Sequence, residues 1–330
     1  MSEQKSIKIA TLNLLNFAAP PYRFYSEFEG YTHSQWQSKT LFFSELLAHM
    51  SPTVIAFQEV FSVKDLEEIC KEQGLPYFSA VSAVKHEALK PDVLYSPVVA
   101  IASKYPIESL NCLLPNKDLL DYFGHQTPFG FNRTPIKCKI NLPDVGFVSF
   151  YVVHLKSQRL ITDGSLFEQI NAEPNLRHYY EQSFALLRNS QDRSLEASII
   201  MHDVMTNNQN MPVVVLGDFN HNLEHASLLP FNIANDHSFK DIPSESGLID
   251  SYTLSQQAME GKQKPATHFY RGKGNVLDYI LLSQHFDPVH DNCVIKKLNY
   301  ATFDGHLTTQ RDGEDIRYSD HAAIMIDLSV

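Results

Sequence analysis

Six segments of this chain set a polar side chain at the edge of an apolar run, and each of those side chains is of a type that can act on a phosphate ester. VVVLGDFNHN carries Asp218 and Asn220 just past its hydrophobic stretch. Residues two apart in an extended chain point the same way. A carboxylate there can take a proton from water while the amide fixes the water or a phosphate; an Asp at a strand end equally serves to cap the next turn. VIAFQEV places Glu59 after an apolar strand, and a lone carboxylate suits Mg2+, which keeps much of its own water. IATLNLLNF places Asn13 similarly as a neutral partner. Either could also be an ordinary polar residue at a strand end. FYVVHLKS sets His154 and Lys156 two apart, a titratable donor beside a fixed cation, although a lone histidine there is more often structural.

NVLDYILLS embeds Asp278 in a run that otherwise reads as buried strand, and a carboxylate so placed needs a partner. YSDHAAIMIDL offers one, because Asp320 and His321 open the last apolar run. An Asp–His pair holds the imidazole in one tautomer and stabilises its charged form. Cleaving a phosphate ester needs a cation on the phosphoryl oxygens, an activated water and a group that neutralises what leaves. Oxygen ligands and histidines are the residues for that work.

These residues need strands to hold them. Short apolar or alternating runs at residues 7–12, 54–57, 98–102, 136–140, 147–153, 213–216, 276–282 and 322–328 read as strands. Helical spacing of apolar residues marks 38–49, 63–73 and the long stretch 176–205. Strands and helices mixed without strict alternation predict a layered α/β (α+β) fold rather than a barrel of identical units. No repeat, low-complexity tract or Gly/Ser linker divides the chain, so residues 1–330 are read as one domain.

The formal net charge is −11, which argues against coating nucleic acid through global electrostatics. A local basic face is best sought where Lys262, Lys264, Arg271 and Lys273 gather around His268; a solvated surface loop is the plainer reading. Cys70, Cys112, Cys138 and Cys293 form no CxxC pair or zinc spacing and read as buried small hydrophobes. With no signal-peptide pattern at the start and no run of ~18 apolar residues, a cytoplasmic, reduced protein is the expectation. The loop at 18–35 holds Tyr22, Phe24, Tyr25, Phe28 and Tyr31. They would stack on a base, dip into a lipid surface, or simply pin the loop to its own domain.

Taken together and in order, Asn13, Glu59, His154, Asp218 with Asn220, Asp278, and Asp320 with His321 resemble the endonuclease/exonuclease/phosphatase superfamily, which includes deoxyribonuclease I, abasic-site endonucleases, inositol polyphosphate phosphatases and bacterial sphingomyelinases. GDFN, LDYILLS and SDH are the most specific pieces, and the HLKS form looks closest to bacterial predicted-nuclease branches. The resemblance implies a four-layer sandwich, two packed β-sheets flanked by helices, with the site at one end of the sheets. It implies that Glu59 holds Mg2+ or Mn2+, assisted by Asn13 and Asp320. Asp218 with Asn220 would activate the water, and His321, oriented by Asp278, would bind or protonate around the scissile phosphate. His154 matches a histidine of the deoxyribonuclease I and sphingomyelinase branches and would stabilise the leaving oxygen, which favours diesters. Arg133 resembles an arginine that faces a substrate phosphate, with a surface ion pair as the competing reading; Lys156 is a second candidate contact. Nucleic acid is the first expected substrate and a phospholipid or inositol phosphate head group the second, acted on by a monomer.

Two readings compete. HNLEH, from His221 to His225, fits the HxxEH pattern of a group of zinc peptidases, which needs a helix presenting both histidines to one metal. A relative that only binds would show a missing catalytic residue, and none of the expected set is missing.

Overall fold

Period-two alternation along the strands decides the layering. The computed structural model describes residues 6–24, 30–124, 129–159, 174–208, 210–233, 247–270, 272–308 and 318–330. One six-stranded sheet runs β16 (Lys297–Phe303), β17 (Ala323–Ser329), β1 (Ser6–Phe17), β3 (Val54–Val60), β7 (Val98–Ser103), β4 (Tyr77–Ser79). The other runs β12 (Leu248–Asp250), β15 (Asp278–Ser283), β11 (Val213–Asp218), β10 (Gly146–His154), β9 (Ile136–Leu142), β8 (Ile107–Cys112). Ile7, Ile9, Val54, Ala56, Ile324 and Ile326 of the first sheet meet Phe150, Val152, Val214, Leu216, Ile280 and Leu282 of the second in one buried layer.

The intervening residues face outward and are covered by helices. Ala10, Leu12, Ile55 and Phe57 pack on Phe43 and Leu47 of α1 (His33–Met50) and Leu66 of α2 (Val63–Glu72). Tyr151, Val153, Val213 and Val215 pack on Ala197, Ile200 and Val204 of a long helix, Pro174–Asn207. Strands apolar on both faces are what a doubly covered sheet requires. The four-layer sandwich expected from the sequence is therefore present.

Two smaller sheets complete the described architecture: β2 (Arg23–Phe24), β6 (Lys90–Ser96) and β5 (Lys85–Glu87) form one, and β13 (His268–Tyr270) with β14 (Lys273–Asn275) forms a hairpin. A single bridge, His268 to His321, ties that hairpin to the start of the last strand. A short helix, α3 (Lys117–Tyr122), precedes the long one, which becomes α4. At its C-terminal end α4 is fastened to the second sheet by a polar chain. Lys137 and the Tyr151 hydroxyl both donate to Asp203, at 2.6 and 2.5 Å, and Asn208 donates to that hydroxyl at 2.7 Å.

The eight strands expected from the sequence form the centre of the two sheets. KLNYATF, now β16, was not expected, because its lysine, asparagine and threonine break the apolar pattern. Among the described residues no helix is long and apolar enough to cross a membrane. Cys70 and Cys138 are buried as expected, but Cys112 is exposed and Cys293 only partly covered; all four are free thiols.

Candidate active site

The inner face of each sheet is apolar until it reaches one end, where the same alternation continues with polar residues. Asn13 follows Ile7, Ile9 and Thr11 on β1; His154 follows Phe150 and Val152; Asp218 follows Val214 and Leu216; Asp278 precedes Ile280 and Leu282. Thr11 and Gln58, buried and hydrogen-bonded to each other at 3.0 Å, mark the change from oil to site. Register places His154 beside Asp218 and Asp218 beside Asp278, so three adjacent strands present a row of titratable groups. Asn13 reaches across from the other sheet, its amide nitrogen donating to Asp218 Oδ2 at 3.0 Å.

Glu59 lies off this alternation and is re-aimed by a bulge. The β3 register shifts between Phe57 and Val60, and Glu59 sits at φ +61°. A bulge redirects one side chain without disturbing the rest of the strand. Its Oε2 accepts from the Asn16 backbone N–H at 2.8 Å, and its Oε1 lies 3.4 Å from Asn13 Nδ2. The Asn16 side-chain oxygen is itself buried without a hydrogen-bond partner among the described residues. Hard, partly unsatisfied oxygens from Glu59, Asn13 and Asn16 suit a small divalent cation.

Gly217 makes the GDFN corner possible. Its φ is +145°, and a Cβ there would meet the Val153 carbonyl oxygen at 1.9 Å. Gly217→Ala is expected to destabilise the fold by at least ~2 kcal/mol, combining backbone strain with a backbone clash. A thermal melt checks this, and an unchanged midpoint would contradict the assigned geometry.

Beyond the glycine, Asp218 Oδ1 accepts from the Asn220 backbone N–H at 2.8 Å, and the Asn220 side-chain amide donates to the Leu155 carbonyl at 3.0 Å. The Asn220 side-chain nitrogen therefore braces the neighbouring strand end, leaving its oxygen for water or substrate.

His321 is held from both sides. Its Nδ1 is 2.8 Å from Asp278 Oδ2, and its backbone N–H donates to Ser319 Oγ, which in turn donates to the Asn13 carbonyl. Its Nε2 faces Asp218 at 3.9 Å and Asp320 at 4.0 Å, while His154 Nε2 stands 3.4 Å from Asp218. Burial disfavours the His321 imidazolium, but Asp278, Asp218 and Asp320 outweigh it and raise its pKa well above the ordinary histidine value. His154 goes the other way: burial first, then Arg133 and His321, push it well below the usual range, so it is neutral. Asp218 is pushed up to about 6, by burial against the pull of His321 and with help from Asp278. Environments that drive neighbouring groups apart are a mark of acid–base sites.

Four residues that sequence reasoning did not select also belong here. His268 faces Asp320 at 3.7 Å, and with Asp320 and His321 offers ligand atoms within 4.8 Å of one another, as do Asp218, Asp278 and His321. Burial opposes ionisation of Asp320, yet His268 and His321 draw its pKa down to about 2. Lys39 of α1 is fully buried, donates to the Tyr318 carbonyl, and is lowered to about 7 by burial despite Asp320 and Glu59 nearby. Arg193 and Glu196 of α4 grip the turn after His154: Glu196 Oε2 accepts from Lys156 N at 2.7 Å, and Arg193 donates to the Lys156 carbonyl at 2.8 Å. Only the helical period placed those last two on the covered face of α4. Arg133 acts on His154, Lys156 and Glu196 at this same corner.

In the segment around His268, Lys264 pairs with Asp250 at 2.6 Å beside the Tyr279 ring, Lys262 pairs with exposed Glu260, Lys273 is exposed, and Arg271 lies outside the described residues. Of the aromatic loop, Phe24 is buried against Tyr31, whose hydroxyl donates to the Leu15 carbonyl, as the pinning reading expects; Tyr22 is exposed, and Tyr25 and Phe28 lie outside the described residues. His221 and His225 lie in turns rather than on a helix and stack on each other, with centroids 3.6 Å apart. Nothing there resembles the helix a zinc-peptidase pair needs.

Two facing sheets with helices outside, and a carboxylate–histidine cluster at their common end, define the deoxyribonuclease I-like class of α/β sandwich. A model of the Endonuclease/Exonuclease/phosphatase family matches residues 10–321, and the chain belongs to that hydrolytic family. Similar solved structures include a humanized D. rerio TDP2 (12% identity, 98% of this chain and 99% of that one, TM-score 0.57). An AP endonuclease from Archaeoglobus fulgidus is 15% identical over 98% of this chain and 100% of that one, with a TM-score of 0.54. The 3′ phosphatase NExo from Neisseria, bound to product DNA hairpin, is 16% identical over 98% and 100%, with a TM-score of 0.53. No curated protein matches the sequence.

Proposed function

We propose that this phosphoesterase is a phosphodiesterase dependent on Mg2+ or Mn2+, acting on nucleic acid from a single catalytic domain. The observation that carries the reading is the meeting of Asn13 and Glu59 from one sheet with His154, Asp218 and Asp278 from the other, and with His321. Glu59, with Asn13 and Asp320, would hold the cation, which when bound supplies charge neutralisation at a phosphoryl oxygen.

The chain's own residues do the rest. Asp218, once ionised, accepts the proton of the attacking water, with the Asn220 oxygen orienting that water. His321, kept charged by Asp278, donates to a phosphoryl oxygen. His154, neutral, donates a hydrogen bond to the leaving oxygen, and Arg133 and Lys156 meet the substrate phosphate. Support for nucleic acid over a lipid head group comes from the DNA product in the Neisseria neighbour.

Purified protein incubated with plasmid DNA, RNA, sphingomyelin and inositol phosphates tests the substrate. Nicking or degradation of nucleic acid is expected, and lipid turnover without it would overturn the ranking. Activity is expected to vanish with EDTA and to return with Mg2+ or Mn2+, since the ligands are hard oxygens. Turnover that persists in EDTA would remove the metal from the mechanism.

A further inference from the structure

The hairpin of β13 and β14 brings a second imidazole beside His321 and holds it there through the backbone. Thr267, fully buried, accepts the Ala322 N–H at its carbonyl, at 2.7 Å, and the Leu277 and Asp278 N–H groups at its hydroxyl, at 3.0 and 3.2 Å. One residue thus fixes the chain next to His268, His321 and Asp278. The bridge between His268 and His321 sets their rings side by side, with centroids 4.9 Å apart.

The His268 nitrogens have no hydrogen-bonding task within the described residues. Nδ1 is buried without a partner, and Nε2 faces Asp320 Oδ2 at 3.7 Å. Asp320 Oδ1 in turn faces His321 Nε2 at 4.0 Å. Both separations are too long for hydrogen bonds. Ligand atoms of the three side chains nevertheless lie within 4.8 Å of one another. Two ligand atoms on one tetrahedral cation, with bonds of about 2.1 Å, stand roughly 3.4 Å apart. Small side-chain rotations therefore close the set around an ion, and the Asp320 side chain, 29% exposed, leaves it a way in.

The donor types decide which ion. Two imidazoles and a carboxylate suit Zn2+, whereas the oxygens of Glu59 and Asn13 suit Mg2+. Behind the set, Asp278 Oδ2 stands 2.8 Å from His321 Nδ1, the carboxylate–histidine pairing that orients an imidazole toward a metal.

We propose that His268, Asp320 and His321 form a Zn2+ site, sharing Asp320 with the Glu59 site, and that zinc held there inhibits the enzyme. His321 gives its Nε2 lone pair to the ion and releases the Nε2 proton to solvent, so it no longer donates to a phosphoryl oxygen. Asp320 is drawn from the Mg2+ at the same time. The inhibition rests on the phosphodiesterase reading; the binding does not.

The test is zinc binding to metal-free protein at fixed pH, read by competition with a chromogenic zinc indicator, with Mn2+ binding followed separately by electron paramagnetic resonance. One zinc per chain is expected. His268→Ala and His268→Gln are expected to weaken zinc binding at least about tenfold and to change Mn2+ affinity less than about threefold. Glu59→Gln is expected to do the reverse. The His268 ring makes no hydrogen bond among the described residues, so its replacement leaves the fold intact, and glutamine keeps its bulk. Zinc affinity unaltered in both His268 variants, or lost in Glu59→Gln instead, would overturn the site. In turnover with Mg2+, the zinc concentration that halves the rate should rise at least about tenfold in His268→Ala; tight zinc binding through His268 without inhibition would overturn the inhibitory role. A protein that turns over none of the esters yet binds zinc through His268 loses the proposed reaction and keeps the site; ester turnover with His268-independent zinc affinity does the opposite.

Discussion

Asp218→Asn is expected to lower kcat by roughly three orders of magnitude and to leave the protein folded. Asp218 is in contact with both sheets and both central histidines, with Asn13 at 3.0 Å, His154 at 3.4 Å and His321 at 3.9 Å. Asparagine keeps the shape but cannot accept the water's proton, and loss of a general base costs on the order of 10²- to 10⁴-fold. Wild-type turnover should rise with pH as Asp218 ionises. In the metal-free protein that midpoint is about 6, and a bound cation moves it lower by favouring the carboxylate. The variant should lack this limb.

Stability should move in the opposite sense. The folded pKa of Asp218 lies above the ordinary 3.8, so the native state holds this proton more tightly than the unfolded chain does. The cost of the buried charge is absent below the unfolded pKa, grows between the two values and is complete above about 6. Metal-free Asp218→Asn is therefore expected to melt at or above wild type near neutrality, with the difference closing in acid. A variant that melts far below wild type at neutral pH, or that keeps more than about a tenth of kcat, would remove Asp218 from the base role.

Asp278→Asn should be nearly as severe, with a loss of about 10³- to 10⁴-fold. Asp278 has no exposed surface, and its Oδ2 stands 2.8 Å from His321 Nδ1. An amide in its place offers a hydrogen bond but no charge, so the imidazole loses both its fixed tautomer and the partner that most favours its charged form. Two readouts separate this from general damage. The alkaline limb of the pH profile should shift to lower pH, because a His321 deprived of Asp278 gives up its proton more readily. Asp278→Asn combined with His321→Ala should be no slower than His321→Ala alone, since residues acting as a unit do not add. Additive losses would mean that Asp278 acts independently of His321.

Much of this was legible in the sequence because strand ends announce themselves. Asn13, His154, Asp218 and Asp278 each terminate or open a run whose apolar residues alternate, so their face and approximate depth follow from counting. Other features were hidden for physical reasons. Glu59 was placed on the right strand, but its aim depends on a bulge, which depends on pairing with β7 rather than on local composition. His268 lies in a stretch that reads as a polar loop and becomes part of the site only because its hairpin bridges to His321. Lys39, Arg193 and Glu196 are charged residues within helices; apart from the helical period, which sets Arg193 and Glu196 on the face of Ala197 and Ile200, nothing local distinguishes them from solvated ones until the helix is docked. Lys264 was hidden for the same reason, since it is drawn off the surface by Asp250, a residue of another element.

The row formed by His154, Asp218 and Asp278 has a consequence for how such a chain can change. Because these residues owe their direction to the same alternation that fills the inter-sheet layer, deleting or inserting one residue inside β10, β11 or β15 would turn that strand's member of the row toward the helices and put an outward-facing neighbour in its place. Length variation in the strands is thus closed to a lineage that keeps the chemistry. Insertions are tolerated where they leave the register alone, in connections such as the stretch between His154 and Asp218 that contains α4. Novelty in what is bound would then accumulate along one rim, while the reacting groups stay where the pleat of the sheets holds them.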